Sequence, residues 1–240
     1  MAKYGSDSVA FFAVDGYDLT GLTTDLANAV EATIEDTTGL GDSWAENSAT
    51  GTRSATLSAE GFYDDDADAS NAALSGNEQT SRLVAFGYAG NTIGKQMTML
   101  AGAFGGTYAR TASRDNLHRA NATWTVNGQV DDGVILHALG AISATGTTTA
   151  VDNSASSASG GVAQMHVTAV SGTSPTLDAV VRHSADDTTY ADLATFTQAT
   201  AATAERKTVT GTVNRYLKCS LTIGGSSTPT VTAAIGFARG

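Results

Sequence analysis

The chain has 240 residues, a single cysteine, 7% aromatic residues and a formal net charge of −11. This length suffices for one large domain or two smaller ones, and one cysteine excludes an internal disulfide. The acidic balance argues against binding to nucleic acid phosphates, which requires clustered Lys and Arg.

Charge and composition change near residue 150. Residues 1–150 contain 18 acidic and 7 basic side chains, whereas residues 151–240 contain six of each. The segment at the junction is rich in Ser, Thr and Gly and poor in apolar residues, as linkers and extended surface loops are. We therefore expect a first domain over residues 1–145, a linker or loop over residues 146–161 and a smaller domain over residues 162–240.

Two candidate elements open the chain. Val9–Val14 is a short apolar strand candidate that ends at the turn signal Asp15-Gly16. In Leu22–Ile34, apolar residues recur at helical spacing behind a threonine cap, but its second half also alternates as a strand does. From the residues alone, a helix is favoured for this segment.

The stretch from Thr52 to Tyr63 alternates between apolar and polar residues, which predicts a half-buried strand. An acidic turn follows, because like charges in a row resist strand pairing. The turn consists of Asp64, Asp65 and Asp66. Ala67–Leu74 is then predicted to be a short helix, with Ser70 as its cap and aspartates before or within its first turn.

Further short strands are predicted at residues 84–88, 97–100 and 104–110. In Ala120–Val130 apolar residues share one face and polar residues share the other, which predicts an antiparallel strand with one wet face. The polar face consists of Asn121, Thr123, Thr125, Asn127 and Gln129. Alternating runs near residues 163–169, 177–181, 217–223 and 231–237 are punctuated by Gly, Asn and Pro. They predict a compact β-sandwich in the second half.

The sequence contains no pattern that predicts catalysis. None of the four histidines lies two, three or four residues from another, as a local metal site requires. His183, Ser184 and Asp186 bring three triad residue types together, but triads are assembled in space and no Gly-x-Ser-x-Gly motif is present. We expect no enzyme, no cofactor and, since no secretory signal or long apolar run is visible, no membrane association.

A calcium loop is also not supported. Asp64, Asp66 and Asp68 have the spacing that opens such a loop, but Ala69 and Ser75 stand where it needs Gly and Glu. We expect no metal site there.

Residues 36–66 read as a strand, an exposed loop, a second strand and an acidic turn. This order of elements resembles that of the major tail tube proteins of long-tailed, non-contractile (siphovirus-type) bacteriophages. The residues that carry the resemblance are Thr37, Thr38, Gly41, Asp42 and Ser43, followed by Gly61, Phe62, Tyr63 and Asp64. The second half is similar to the sandwich-like part of some actinobacteriophage tail proteins, in the HSADD, YADLATF and TGTVNRYLKC stretches.

This resemblance implies a mainly β fold: a tail-tube-type β-sandwich with one short flanking helix, followed by a second, smaller β-sandwich. It implies a strand over Leu22–Ile34 and a helix near residues 67–74. Six copies would form a ring, and stacked rings would form a tube through which DNA passes without specific binding. The partners would be further copies and other tail proteins, and the protein would be made in the host cytoplasm and located in the virion.

The resemblance also assigns candidate residues. The polar loop Gly39–Arg53 is expected to bridge to the next ring. Its candidate residues are Gly39, Asp42, Ser43, Trp44 and Arg53. The inner-sheet candidates are Thr123, Thr125, Asn127 and Gln129. A carboxylate-rich first domain is expected to repel DNA in the channel, with the second domain on the outside.

An alternative is a carbohydrate-binding or adhesion-type virion protein, or a capsid decoration protein, that acts through its C-terminal sandwich. Tyr190, Phe196 and Tyr216 are the aromatic residues that could form a platform for sugar stacking. This alternative predicts a stable monomer with a saturable affinity for sugar.

Overall fold

The computed structural model describes residues 11–76 and 80–240. In this part of the chain nearly all regular structure is antiparallel β, which confirms the predicted mainly β fold with one short helix. The elements of the first half are β1 (Phe11–Val14), β2 (Tyr17–Asp18), β3 (Thr23–Asp36), β4 (Asn47–Phe62), α1 (Ser70–Leu74), β5 (Ser81–Gly87), β6 (Gln96–Thr111), β7 (Arg119–Val126) and β8 (Val130–Ile142). Those of the second half are β9 (Gly146–Thr147), β10 (Val151–Asp152), β11 (Gly161–Ser184), β12 (Ala191–Thr195), β13 (Thr203–Val209) and β14 (Tyr216–Arg239).

The first half is a sandwich whose two sheets share the long strand β6. One part of β6 pairs with β5, which continues to β1 and β2, and the other part pairs with β7, which continues to β4 and β3. The facing sides bury a core in which Phe12 packs edge-on against Trp124 at 6.1 Å between ring centroids. The helix α1 closes one end of this core with Ala73 and Leu74.

The second half is a sandwich made largely by one folded ribbon. Strands β11 and β14 pair over their whole length, from Gly161 opposite Arg239 to Ser184 opposite Tyr216, with register shifts in the middle. Side chains from both halves of the ribbon lie in a single core, so the ribbon folds back on itself. At the bend, Gly172 and Gly225 have φ values of +100° and +118°, which glycine adopts without steric cost.

The two halves share one continuous sheet. Strand β8 pairs with β6 on one side and with β14 on the other. A third buried cluster, which includes Phe11, Met97, Met99 and Ile135, lies on this shared sheet. The segment 146–161 is not a free chain, since β9 and β10 within it both pair with β14. The division into domains at residues 145 and 162 stays a prediction.

The strands of the first half differ in their bounds from the strands that the sequence predicts. The helix that the spacing favours for Leu22–Ile34 is not formed. Residues 23–34 lie in β3, as the tail tube resemblance implies, because they pair with β4. Leu22 and Leu26 pack against the sandwich core, whereas the side chains from Ala29 onward are exposed. The strand candidates at residues 97–100 and 104–110 are parts of the single strand β6. Residues 9 and 10 of the Val9–Val14 candidate lie outside the described residues, and residues 11–14 form β1.

The prediction that Ser70 caps the helix was wrong, and the helix begins at Ser70 rather than at Ala67, with Asp66 and Asp68 before it. Ala69 occupies the N-cap position without a side-chain hydrogen bond, and the first turn contains no acidic residue. The hydroxyl of Ser70, the first helical residue, instead accepts from the backbone N–H of Asp64 at 2.9 Å and donates to the carbonyl oxygen of Phe62 at 2.8 Å. Ser70 therefore stabilises the acidic turn rather than the helix end.

Candidate interaction surfaces

Half of the β3–β4 hairpin extends beyond the rest of the molecule. β4 pairs with β7 only from Thr56 to Phe62, and among the described residues β3 pairs only with β4. We call residues 29–54 the arm. Every described side chain of the arm is exposed, so this ribbon gains almost nothing from tertiary packing.

The tip of the arm, residues 37–46, is held by its own hydrogen bonds. The carboxylate of Asp36 accepts from the backbone N–H and the hydroxyl of Thr38, and these bonds lower its pKa. The hydroxyl of Thr38 also accepts from the backbone N–H of Glu46 at 2.9 Å, and the carboxylate of Asp42 accepts from the backbone N–H of Gly39 at 2.6 Å. Thr38 and Asp42, two of the residues that carry the tail tube resemblance, thus give the tip a defined shape.

The predicted inter-ring loop is shorter than expected. The loop was predicted over Gly39–Arg53, but residues 47–53 belong to β4, because they pair with β3. Gly39, Asp42, Ser43 and Trp44 lie in the tip, whereas Arg53 lies opposite Ala32 near the base of the arm.

The arm combines acidic and apolar side chains. Its carboxylates are Glu31, Glu35, Asp36, Asp42 and Glu46, and Arg53 is its one basic residue. Its large exposed apolar side chains are Val30, Ile34, Leu40 and Trp44. Trp44 is 84% exposed and Ile34 is 64% exposed. Exposed apolar side chains concentrated on one projection are typical of an interaction site.

The sheet of β3, β4, β7 and β6 presents an open outward face, which we call the threonine face. Its residues include Asp25, Glu31, Ser54, Thr56, Ser58, Glu60, Phe104, Thr107, Arg119, Asn121, Thr123 and Thr125. Thr123 lies opposite Ser58 of β4, and its hydroxyl is 2.8 Å from that of Thr107. The face is mostly neutral and polar, with three carboxylates and one arginine.

The four inner-sheet candidates divide into two groups. Thr123 and Thr125 are on the threonine face, but β7 ends at Val126, so Asn127 and Gln129 belong to the turn before β8. This turn forms because Gly128 has a φ of +105°, which a side chain would disfavour. The predicted strand ran on to Val130 because polar and apolar residues continue to alternate through this turn.

At the other end of the same sheet, the β6–β7 turn forms a basic surface that the sequence analysis missed. Residues 110–119 contain Arg110, Arg114 and Arg119 and a single aspartate, and Leu117 is 70% exposed. Arg114 and Arg119 belong to this surface, whereas Arg110 lies over the Tyr108 ring on the core side of the sheet. The sequence has three arginines within these ten residues, but the net charge of the whole chain does not reveal a local excess of basic residues. An open concavity here is lined by Phe62, Thr111, Ser113, Asn116, Leu117 and Arg119.

The acidic turn is a local structure at the end of β4. The carboxylate of Asp64 accepts from the backbone N–H of Asp66 at 3.0 Å, and the carbonyl oxygen of Asp64 accepts from the backbone N–H of Asn71. Asp65 is exposed. Over residues 11–76 and 80–240, no three His, Cys, Asp or Glu side chains come together as a metal ion would require.

His183, Ser184 and Asp186 do not form a catalytic arrangement. The hydroxyl of Ser184 donates to the carboxylate of Asp186 at 2.8 Å, and that carboxylate also accepts from the backbone N–H groups of Thr188 and Thr189. These donors lower the pKa of Asp186. Nδ1 of His183 instead accepts from the backbone N–H of Asn214. The three residues form a turn, as a strand end followed by two aspartates would.

The aromatic residues of the proposed sugar platform are separated. Phe196 is buried in the core of the second half. Tyr190 and Tyr216 are partly exposed, but Lys218 Nζ lies 3.5 Å from the ring centroid of Tyr190, and the Arg215 guanidinium lies 4.9 Å from that of Tyr216. A sugar would have to displace these cations from the covered ring faces. No helix in the described part of the chain is long and apolar enough to cross a membrane.

Three solved structures are similar to the chain in backbone trace. The tail of the empty gene transfer agent particle, solved with C6 symmetry, has a TM-score of 0.42 at 14% identity, covering 53% of this chain and 97% of the other. The virion of the native gene transfer agent particle has a TM-score of 0.41 at 14% identity, covering 54% and 98%. The phage SPP1 Dit protein, from a hub adsorption apparatus, has a TM-score of 0.37 at 10% identity, covering 96% and 98%.

No protein-family model matches the chain, and no curated protein matches it in sequence. Because the TM-scores of all three structures are low, these likenesses carry no argument about the function of the chain.

Proposed function

We propose that the chain is a structural protein of a phage-type tail, in which six copies form a ring and stacked rings form a tube for DNA ejection. The arm is the observation that carries this proposal. A two-stranded ribbon without a covered face is marginally stable in water. Its open edges and exposed apolar side chains are stabilised when another molecule covers them.

The threonine face is the surface that we propose lines the channel. When strands of neighbouring copies pair edge to edge, their sheets close into a barrel and the open edges disappear. The face carries one arginine, so DNA phosphates would find few cations to bind. Asp25, Glu31 and Glu60 would supply repulsion.

This role of the face can be tested in particles that eject DNA. Glu31→Lys combined with Glu60→Lys should slow ejection, because phosphates would then bind to the wall. A control at Asp187→Lys, in the second half of the chain, should leave the rate unchanged. Equal ejection rates for all three particles would contradict this role of the threonine face.

The proposal also places the two halves of the chain in different parts of the tail. Residues 1–145 would form the tube, with residues 146–161 and 162–240 on its outside. Its support is that β14 attaches the second sandwich to β8, away from the arm and the threonine face. The protein would be made in the host cytoplasm and taken into the virion together with other tail proteins.

Negative-stain microscopy of the concentrated protein, with its mass in solution, tests the proposal. Six-membered rings or hollow tubes support it. A monomer that binds sugar in a saturable manner would instead support the carbohydrate-binding or decoration alternative. That alternative is less well supported, because cations already cover one ring face of Tyr190 and one of Tyr216.

A further inference from the structure

The arm tip and the concavity at the β6–β7 turn lie at opposite ends of the same strand. At one end of β4, Asn47 pairs with Asp36 beside the tip; at the other end, Phe62 pairs with Arg119 beside the concavity. The 16 residues of β4 span about 50 Å at ~3.3 Å per residue. One molecule therefore cannot bring its own tip to its own concavity.

The concavity has an apolar floor and a basic rim. The guanidinium of Arg119 lies 4.8 Å from the ring centroid of Phe62, and Leu117 is exposed beside them. By strand register, Phe62 and Arg119 face outward with the threonine face. The helix α1, which follows the acidic turn, packs on the opposite, core side.

The charges of the two surfaces are complementary. The arm has five carboxylates and one arginine, whereas residues 111–119 have two arginines and one aspartate. Arg110 lies over the Tyr108 ring on the core side of the sheet and is not part of this surface. Each surface also has large exposed apolar side chains: Leu40 and Trp44 at the tip, Leu117 at the concavity. Complementary potentials favour association of the two surfaces and disfavour contact between two arms.

We propose that the concavity of one copy receives the arm tip of a second copy of this chain. Trp44 packs on Leu117 and on the guanidinium of Arg119 that covers the Phe62 ring, while the carboxylates of the tip approach Arg114 and Arg119. Because the two surfaces differ, the contact is heterologous and repeats along the direction of β4. This inference rests on the proposed function, since such a contact would join one ring to the next.

Cysteine cross-linking tests the contact. Ser43→Cys and Asn116→Cys place thiols beside Trp44 and Leu117 while both of these residues are kept, and the native Cys219 is buried. A chain with both substitutions should form a ladder of disulfide-linked oligomers on oxidation, because each copy links to the next. A mixture of the two singly substituted chains should form dimers only. Ser43→Cys paired with Ser156→Cys is the matched control and should form no ladder.

The outcomes distinguish this inference from the proposed function. A ladder from the double variant alone supports the contact. Rings or tubes that form without any link between positions 43 and 116 overturn the contact and leave the proposed function standing. Dimers of the Ser43→Cys chain alone would show tip-to-tip contact and also overturn it. A protein that never self-associates overturns both.

Discussion

Arg206 of β13 and Asp131 of β8 form an ion pair at 2.6 Å that links the two halves of the chain. Both side chains are shielded, with 17% and 7% of their surfaces exposed. Removing one partner of such a pair leaves an uncompensated charge in a poorly solvated place, which is far costlier than losing an exposed pair. We therefore expect this pair to stabilise the contact between the two halves of the chain.

Asp131→Asn should lower the free energy of unfolding by about 3–5 kcal/mol, because Arg206 keeps its charge without a partner. Urea unfolding followed by circular dichroism measures the change. Asp152→Asn is the matched control, because it breaks an exposed pair with Arg215, and it should have a clearly smaller effect. Equal effects of the two variants would contradict a structural role for the shielded pair.

A second prediction concerns pH and the buried His166. Burial lowers the pKa of His166 to about 3. The side-chain amide of Gln164 donates to the carbonyl oxygen of Val84 at 3.2 Å and lies 2.8 Å from Nε2 of His166. The neutral ring accepts at Nε2, whereas a protonated ring would place a donor against the amide donor.

Because the unfolded chain binds the proton near pH 6.5 and the folded chain does not, the stability from neutral His166 is complete above pH 6.5. It is lost as the pH falls from 6.5 towards 3. Between pH 7 and pH 5 the loss should be about 2 kcal/mol. His166→Gln should remove this part of the pH dependence, and His118→Gln, at an exposed position, should retain it. An unchanged slope in His166→Gln would exclude His166 as its origin.

A third prediction concerns Gly16, where the β1–β2 turn approaches the second half. A Cβ at Gly16 would lie 2.7 Å from the backbone nitrogen of Thr203 and 2.8 Å from the carbonyl oxygen of Val167. Gly90 also has a positive φ, +102°, but a Cβ there would meet nothing within 4 Å. Gly90→Ala should cost about 1 kcal/mol for backbone strain.

Gly16→Ala should cost about 1–3 kcal/mol more than Gly90→Ala, because backbone atoms must also move apart. Thermal or urea unfolding of both variants measures the difference. If the two substitutions cost the same, the approach between the turn and β13 is looser than described.

The fourth prediction concerns the arm. Replacing residues 33–52 by a two-residue Asn-Gly turn, which keeps Ala32 opposite Arg53, should leave the free energy of unfolding of the remaining fold within about 1 kcal/mol, because the arm has no tertiary cover. The same change should abolish self-association, measured by sedimentation. Trp44→Ser is a milder variant that keeps the backbone of the tip, and it should weaken association without abolishing it. A shortened protein that assembles normally would contradict the role of the arm.

The sequence predicted strands correctly where one side of the strand faces the core. The alternation in residues 52–63 and 120–126 predicts strands whose apolar sides are buried, as in β4 and β7. Gln129 was placed in a strand because alternation continues through a turn, and Ser70 was assigned a capping role that the fold gives to the acidic turn instead. The spacing of apolar residues in Leu22–Ile34 favours a helix, but pairing with β4 makes the segment a strand.

The sequence by itself determined the β class, the short helix and the acidic character, because alternation, turn residues and charge are local properties of the chain. Only the tertiary structure decided that β8 joins both halves in one sheet, that β11 and β14 fold back as one ribbon, and that the arm has no cover. Those features depend on which strands become neighbours. Such pairing brings together residues far apart in the chain, and the residue pattern of a single strand does not specify its neighbour.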